Sequence, residues 1–166
     1  MPDSHTPLSP PSSPPSTDRL ERSIFIAAPR SRVWQALTTA ETFGQWFGVA
    51  LQVQRFAPGR YVRGNITIAG YEHVMFDALV DSVEPETRFA YRWHPYAVDA
   101  QHDYSAEPRT LVSFTLQDEG AGTRLTVVES GFDGVPPERR LAALHANTGG
   151  WEEQLLNIQR HVAPGA

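Results

Sequence analysis

Hydrophobic and polar residues alternate over much of the chain, as they do in half-buried β-strands. The run from Leu20 to Ile26 predicts a first strand, and Pro29 is well placed to open a helix after it. Turn signals rich in Pro and Gly then separate six further alternating runs, at about residues 51–56, 60–68, 72–83, 88–93, 110–117 and 123–130. We therefore expect a series of antiparallel strands.

The last three of these runs place their large side chains at alternate positions. These side chains should share one face of the sheet, and they are Phe89, Tyr91, Trp93, Val112, Phe114, Leu116, Leu125, Val127 and Glu129. Arg88, Arg92 and Arg124 have the opposite parity and should face water. The sheet is therefore expected to be buried on one side only.

Helical spacing appears in two places, directly after the first strand and at the end of the chain. The first region predicts two short helices. After Pro136-Pro137 a long helix is predicted to about Val162, with apolar or small residues at steps of three and four. This stripe consists of Leu141, Leu144, Thr148, Trp151, Leu155, Ile158 and Val162. The order β-α-α-β6-α predicts an α+β fold in which the long helix lies on the buried face of the sheet.

The N-terminal segment differs in composition from the rest. Residues 1–17 hold six of the 14 Pro and five Ser, so the segment has too few large apolar side chains to offset its ordering entropy. We expect a disordered tail over residues 1–18 and one domain over residues 19–163.

Composition excludes several kinds of chemistry. The chain has no Cys, which excludes disulfides and thiolate sites, and all 14 basic residues are Arg, which excludes a catalytic lysine. A net charge of −5 disfavours nucleic acid, and no apolar run is long enough for membrane insertion. We found no dinucleotide or other cofactor motif, and we expect a cytoplasmic protein without a cofactor.

Six segments together resemble the START-like (SRPBCC, helix-grip) superfamily over about residues 20–162. They are Ala28–Thr38, Trp46-Phe47, Arg92–Pro95, Gly122–Leu125, Glu129–Phe132 and Gly150–Asn157. Within that superfamily the chain is most similar to the bacterial activator-of-heat-shock-protein-ATPase-like and polyketide cyclase-related proteins. The resemblance implies a curved antiparallel sheet that grips the long C-terminal helix, with a cavity between helix and sheet.

Aromatic residues supply the candidate binding surface. Such rings, with few polar groups among them, are typical of pockets for apolar or aromatic ligands, and plain core packing is the alternative. The candidate ligand-binding residues are Trp46, Tyr91, Trp93, Phe114, Glu129, Asn147, Trp151 and Leu155.

Glu129 is the only candidate for catalysis. Its inward parity predicts a buried carboxylate whose pKa burial would raise, which suits general acid or base work. A structural hydrogen bond is the alternative, and Asn147 could bond either a ligand or Glu129. His94, Asp99, His102 and Asp103 follow the strand that ends near residue 93, but their spacing matches no metal motif and we predict no metal site.

Three functions follow from these residues and the resemblance. The first is binding of a hydrophobic or aromatic small molecule, and it is the one we favour. The second is a cofactor-independent cyclase-, dehydratase- or hydrolase-like reaction in the same pocket. The third, implied by the resemblance alone, is modulation of a chaperone ATPase through a protein partner.

Overall fold

A seven-stranded antiparallel sheet forms the framework of the protein. The computed structural model describes residues 18–53, 55–96, 104 and 106–164. The strands are β1 (Arg19–Ile26), β2 (Val49–Leu51), β3 (Tyr61–Ile66), β4 (Met75–Glu84), β5 (Arg88–Trp93), β6 (Thr110–Glu119) and β7 (Gly122–Ser130). Their order across the sheet is β1-β7-β6-β5-β4-β3-β2, so only β1 and β7 are neighbours that lie far apart in sequence.

Three α-helices complete the fold. They are α1 (Arg30–Thr38), α2 (Ala40–Phe47) and α3 (Pro137–Val162), and a short 3-10 turn, Phe132–Gly134, precedes α3. The predicted order β-α-α-β6-α and the α+β helix-grip architecture are confirmed. Among the helices that the structure describes, none combines the length and hydrophobicity needed to cross a bilayer.

The predicted buried face of the sheet is confirmed residue by residue. Eight of its nine members are buried, and Trp93 is half-buried. The antiparallel register pairs Phe89 with Phe114 and Tyr91 with Val112, which brings these side chains together on the face covered by α3. Trp151, Leu155, Ile158 and Val162 of α3 are buried as well, so sheet and helix share one core.

At its N-terminal end, α3 differs from the prediction. Leu141 is 67% exposed, and the buried residue of the first turns is Ala143. Residues two positions apart in an α-helix differ by about 200° around its axis, so the side chains of Leu141 and Ala143 point in nearly opposite directions. The predicted stripe was therefore wrong at Leu141 and right from Trp151 onwards.

Strand β2 lies earlier and is shorter than predicted. The prediction placed it at 51–56, whereas it covers Val49–Leu51. Gly48 ends α2 in the left-handed conformation, with a φ of 92°, and the strand begins at the next residue. Pairing of Val49 with Ile66 in β3 then fixes its register.

Strand β4 begins later than predicted because turns occupy the preceding residues. Tyr71 N–H donates to the Ile68 carbonyl at 2.9 Å, and Val74 N–H donates to the Tyr71 carbonyl at 2.9 Å. These bonds hold the segment before Met75 out of the sheet. The segment 67–74 thus links β3 to β4 beside α2 and α3.

Candidate functional site

Glu129 lies on the buried face of the sheet, near the end of the strand next to the β1 edge. It lies on β7, opposite Val112 of β6 and Leu20 of β1, and its exposed fraction is 0%. A carboxylate so far from water is tolerated only where several donors replace its hydration. The surroundings of Glu129 supply those donors.

Four side chains donate hydrogen bonds to the Glu129 carboxyl group. Trp93 Nε1 and Thr110 Oγ1 donate to Oε2 at 2.8 and 2.6 Å. Trp151 Nε1 donates to Oε1 at 2.8 Å, and Asn147 Nδ2 lies 3.0 Å from Oε1 and 3.3 Å from Oε2. Because the donors come from β5, β6 and α3, this one group ties the long helix to the sheet.

The ionisation of Glu129 is shifted by its surroundings. Burial raises the pKa of the carboxyl group above its ordinary value, and the four hydrogen bonds oppose that rise in part. Loss of hydration disfavours the charged form, whereas donors favour it. Burial is the larger of the two effects, so the native fold favours the protonated form more than the unfolded chain does.

Two clefts open beside this cluster, with volumes of about 220 and 240 Å³. Phe47, Trp93 and Asn147 line both of them. The first cleft is also lined by Ile66, Val74, Met75, Phe76, Asp77, His94, Pro95 and Tyr96. The second is also lined by Ile68, Gly150, Trp151, Glu153, Gln154 and Asn157. The clefts therefore adjoin at the end of β5, between α3 and the 67–74 segment.

The structure brings some of the predicted site residues together at these clefts. Trp93 and Asn147 line both clefts, and Trp151 lines the second. Glu129 is not among the lining residues and lies behind these three, joined to each of them by a hydrogen bond. The Glu129 carboxyl group thus contacts residues of the cleft walls and does not line the clefts itself.

Other predicted site residues pack in the interior. Trp46 Nε1 donates to the Ala36 carbonyl at 2.8 Å, and its ring packs on Phe43. Tyr91, Phe114 and Leu155 are buried and line neither cleft. For these four residues the geometry matches core packing, the alternative stated for them above.

Two residues of the site carried no functional prediction. Thr110 donates the shortest hydrogen bond to Glu129, and it stands two residues before Val112, so the parity of β6 already pointed it inward. Phe47 lines both clefts, but nothing in the sequence tells where α2 docks. Parity could have identified Thr110, whereas Phe47 needed the tertiary structure.

The residues weighed as metal ligands do not form a cluster in the described part of the chain. His94 Nε2 lies 3.3 Å from the Glu107 carbonyl, and within residues 18–53, 55–96, 104 and 106–164 no three acidic or His side chains gather as a metal site would require. Asp99, His102 and Asp103 lie outside the described residues.

Comparison with solved structures places the fold among known ones. A crystal structure of DynU16, a protein of the dynemicin biosynthetic locus, is 27% identical with a TM-score of 0.68, covering 89% of this chain and 48% of that one. The chain thus spans about half the length of DynU16.

Two bacterial proteins match over nearly their whole length. Protein MLL2253 from Mesorhizobium loti is 22% identical, with a TM-score of 0.67, and the match covers 89% of this chain and 98% of that one. The solution structure of the Aha1 dimer from Colwellia psychrerythraea is 16% identical, with a TM-score of 0.66 and the same two coverages. At these identities the likeness concerns the fold.

A family assignment comes from the sequence. In a search of curated proteins no sequence matches. The sequence model of the family described as "Activator of Hsp90 ATPase homolog 1-like protein" matches residues 27–163, which is most of the chain. The helix-grip fold, the structural neighbours and this match agree, and the chain belongs to the activator of Hsp90 ATPase homolog 1-like family of the START-like superfamily.

Proposed function

We propose that the protein binds an apolar or aromatic small molecule in the two adjoining clefts between α3 and the sheet. The observation that carries the proposal is the shared wall of Phe47, Trp93 and Asn147, in which two aromatic rings flank one amide. Ligand sites commonly combine such apolar surface with a few fixed polar groups. A cytoplasmic location belongs to the same proposal, since nothing in the Cys count argues for an oxidising compartment.

The rigidity of the wall supports the proposal. The Trp93 and Trp151 rings lie 5.6 Å apart between centroids, and each donates its indole N–H to Glu129. Asn147 is held by the same carboxyl group. Side chains whose rotamers are fixed before binding lose little entropy when a ligand arrives, which favours affinity.

The surroundings of Glu129 favour a positioning role over a catalytic one. A general acid or base must reach the substrate directly or through one water. Glu129 has an exposed fraction of 0%, and four protein donors occupy its oxygens. We therefore propose binding as the function, with Glu129 holding the residues that contact the ligand.

Gly150 and Gly149 provide a matched test. Both are helical glycines of α3, and a Cβ added at either would meet no atom within 4 Å, but only Gly150 lines the second cleft. A Gly150→Leu side chain should fill that cleft without disturbing the fold, whereas Gly149→Leu should leave it open. The wild type and both variants would be purified in parallel and analysed by native and then denaturing mass spectrometry for a co-purifying molecule.

We expect a released small molecule from the wild type and from Gly149→Leu, and at least a tenfold lower amount from Gly150→Leu. If all three proteins purify empty, ligand-observed NMR with two-ring aromatic fragments replaces the first readout, with the same ranking expected. Equal binding by the two variants would contradict the proposal.

A second candidate function is modulation of a chaperone ATPase, and the family description is what favours it. This activity would be measured by adding the protein to the Hsp90-type ATPase of the same organism. A change in ATPase rate that Gly150→Leu leaves intact would separate this activity from the clefts. An unchanged rate would remove the second candidate.

A further inference from the structure

Asn147 lines both clefts, and one of the two polar atoms of its amide is already bonded inside the protein. Its nitrogen, Nδ2, is turned towards Glu129, 3.0 Å from Oε1. The carbonyl oxygen, Oδ1, is the other polar atom of this amide, and it accepts no hydrogen bond from the described residues. Because Glu129 holds the nitrogen, Asn147 cannot flip its amide without losing that bond. The fixed polar atom that remains is an acceptor.

Asn157 is a second amide at the clefts whose nitrogen is bonded inside the protein. In the second cleft, Gln154 Nε2 donates to the Phe47 carbonyl at 2.9 Å, and Asn157 Nδ2 donates to Gln154 Oε1 at 3.1 Å. Asn157 Oδ1 is then left without a donor in the part of the chain that the structure describes. The second cleft therefore also offers an unpaired carbonyl oxygen.

Two side chains that line the first cleft donate their hydrogen bonds to Glu107, and not to the cleft. Tyr96 Oη donates to Glu107 Oε2 at 2.9 Å, and burial together with this carboxylate raises the pKa of Tyr96 to about 12. His94 Nε2 must carry the hydrogen that the Glu107 carbonyl accepts, and burial lowers the pKa of His94, which favours the neutral ring. The other ring nitrogen, Nδ1, is then an acceptor.

The charged side chains at the clefts also bear on the kind of ligand, because they disfavour an anion. No Arg lines either cleft, although Arg makes up all 14 basic residues of the chain. Asp77 lines the first cleft and is paired with Arg63 at 3.1 Å and Arg109 at 3.4 Å. Glu153 adds a second carboxylate at the rim of the other cleft. Arg139 stacks on the Tyr96 ring at 4.9 Å, but like Arg63 and Arg109 it does not line the cleft itself. Among the described residues that line the clefts, the two carboxylates are therefore the charges that an anionic ligand would contact.

We infer that the ligand presents a hydrogen-bond donor, a hydroxyl or an amine N–H on an apolar or aromatic body, to Asn147 Oδ1, and that it carries no carboxylate or other anionic group. The inference rests on the proposed function, because it names the ligand class of the same clefts. Glu129 acts here as a positioning residue that sets which end of the Asn147 amide faces the ligand.

Three naphthalene derivatives test the inference by isothermal titration calorimetry on the full chain. 2-Naphthol has a donor, 2-methoxynaphthalene has the same ring and oxygen without the donor, and 2-naphthoate replaces it with a carboxylate. We expect 2-naphthol to bind about tenfold to a hundredfold more tightly than the methyl ether, the usual effect of leaving a site acceptor unpaired, and more tightly than 2-naphthoate.

Asn147→Ala should abolish the preference for 2-naphthol over the ether, while the matched Asn65→Ala, at an exposed Asn that lines neither cleft, should keep it. Circular dichroism would establish that each variant is folded, and if Asn147→Ala is not, the comparison of the three probes on the wild type decides. Equal affinities for 2-naphthol and the ether, or tighter binding of 2-naphthoate, would overturn the inference and leave the proposed function standing. Failure of all three probes to bind would overturn both.

Discussion

At the scale of single residues, the hydrogen bonds around Glu129 form a closed set. The two indoles can only donate, and Asn147 donates through its amide nitrogen, so the carboxyl group is the acceptor of all three. Thr110 can either donate to the carboxylate or accept from the carboxylic acid. The cluster is therefore satisfied in both protonation states of Glu129, whereas an amide at position 129 would not satisfy it.

Glu129→Gln should lower the free energy of unfolding. Whichever way the Gln amide is turned, its NH2 group faces an indole N–H, from Trp93 or from Trp151, and leaves that donor unpaired. One such loss costs about 1–3 kcal/mol. Urea unfolding followed by Trp fluorescence measures it, and the exposed Glu153→Gln serves as the control, for which we expect no measurable change.

The difference in stability between the wild type and Glu129→Gln should depend on pH. Because burial raises the native pKa of Glu129 above 4.5, this group stabilises the wild type fully below pH 4.5 and progressively less as pH rises through the native pKa. Glu129→Gln lacks this dependence. Its penalty relative to wild type should therefore be largest at and below pH 4.5 and should shrink as pH rises through the native pKa. A penalty that grows with pH would mean that the fold stabilises the carboxylate instead.

Replacement of Tyr91 by Phe should not lower stability, unlike the same change at a buried tyrosine whose hydroxyl group is hydrogen-bonded. The Tyr91 side chain is 1% exposed, and its hydroxyl has no hydrogen-bond partner among the described residues. Tyr91→Phe removes an unpaired polar atom and should leave stability unchanged or raise it by about 1 kcal/mol. Tyr96→Phe is the control, because it removes a bond to Glu107 and should lower stability by about 1 kcal/mol in the same urea experiment. Destabilisation by Tyr91→Phe would show that its hydroxyl is hydrogen-bonded in solution.

At the scale of elements, the position of α2 depends on a glycine. A Cβ at Gly44 would lie 2.3 Å from the Val49 carbonyl oxygen, so α2 can approach the start of β2 only where no side chain stands. Phe43, Trp46 and Phe47 lie on this helix, and Phe47 lines both clefts. The shape of the clefts therefore depends on this close contact.

Gly44→Ala and Gly149→Ala should change stability in opposite directions. Both replace a helical glycine, which by helix propensity alone adds up to about 1 kcal/mol. At Gly149 nothing opposes that gain, whereas at Gly44 the clash should reverse it into a loss of about 1–3 kcal/mol. Chemical unfolding of the two variants measures the difference. A gain at both positions would contradict the close packing of α2 on β2.

The elements were predictable where the local pattern decides them. Alternation identified the buried face of β5, β6 and β7 and the inward position of Glu129, because strand parity is a local property. Leu141 and β2 were wrong because their placement depends on contacts distant in sequence: the docking of α3 on the sheet and the pairing of Val49 with Ile66. The clefts depend on the same long-range contacts, so the sequence predicted an aromatic site without predicting which rings form its wall.

At the scale of the whole molecule, the described fold begins at Asp18. Its backbone carbonyl accepts a hydrogen bond from Phe132 N–H at 3.0 Å, and its carboxylate accepts one from Asp133 N–H at 3.1 Å. These contacts include one residue of the predicted tail. They join the start of β1 to the turn that precedes α3.

A variant that lacks residues 1–17 should therefore have the same free energy of unfolding in urea as the full chain, within about 0.5 kcal/mol. A second variant that also lacks Asp18 should be measurably less stable, because it loses both hydrogen bonds to the 3-10 turn. Limited proteolysis provides an independent check, with first cleavage expected before Asp18. A large loss of stability in the first variant would contradict the predicted tail.

The sheet order has a consequence for how the chain reaches this structure. β1 is the first strand to be synthesised and its neighbour β7 is the last, and along the ladder Arg19 pairs with Ser130. During translation β1 therefore has no strand to pair with until nearly the whole domain has left the ribosome. Topologies that depend on such distant pairings fold slowly and expose unpaired edges for longer. A chain truncated before β7 would therefore leave β1 without a partner strand.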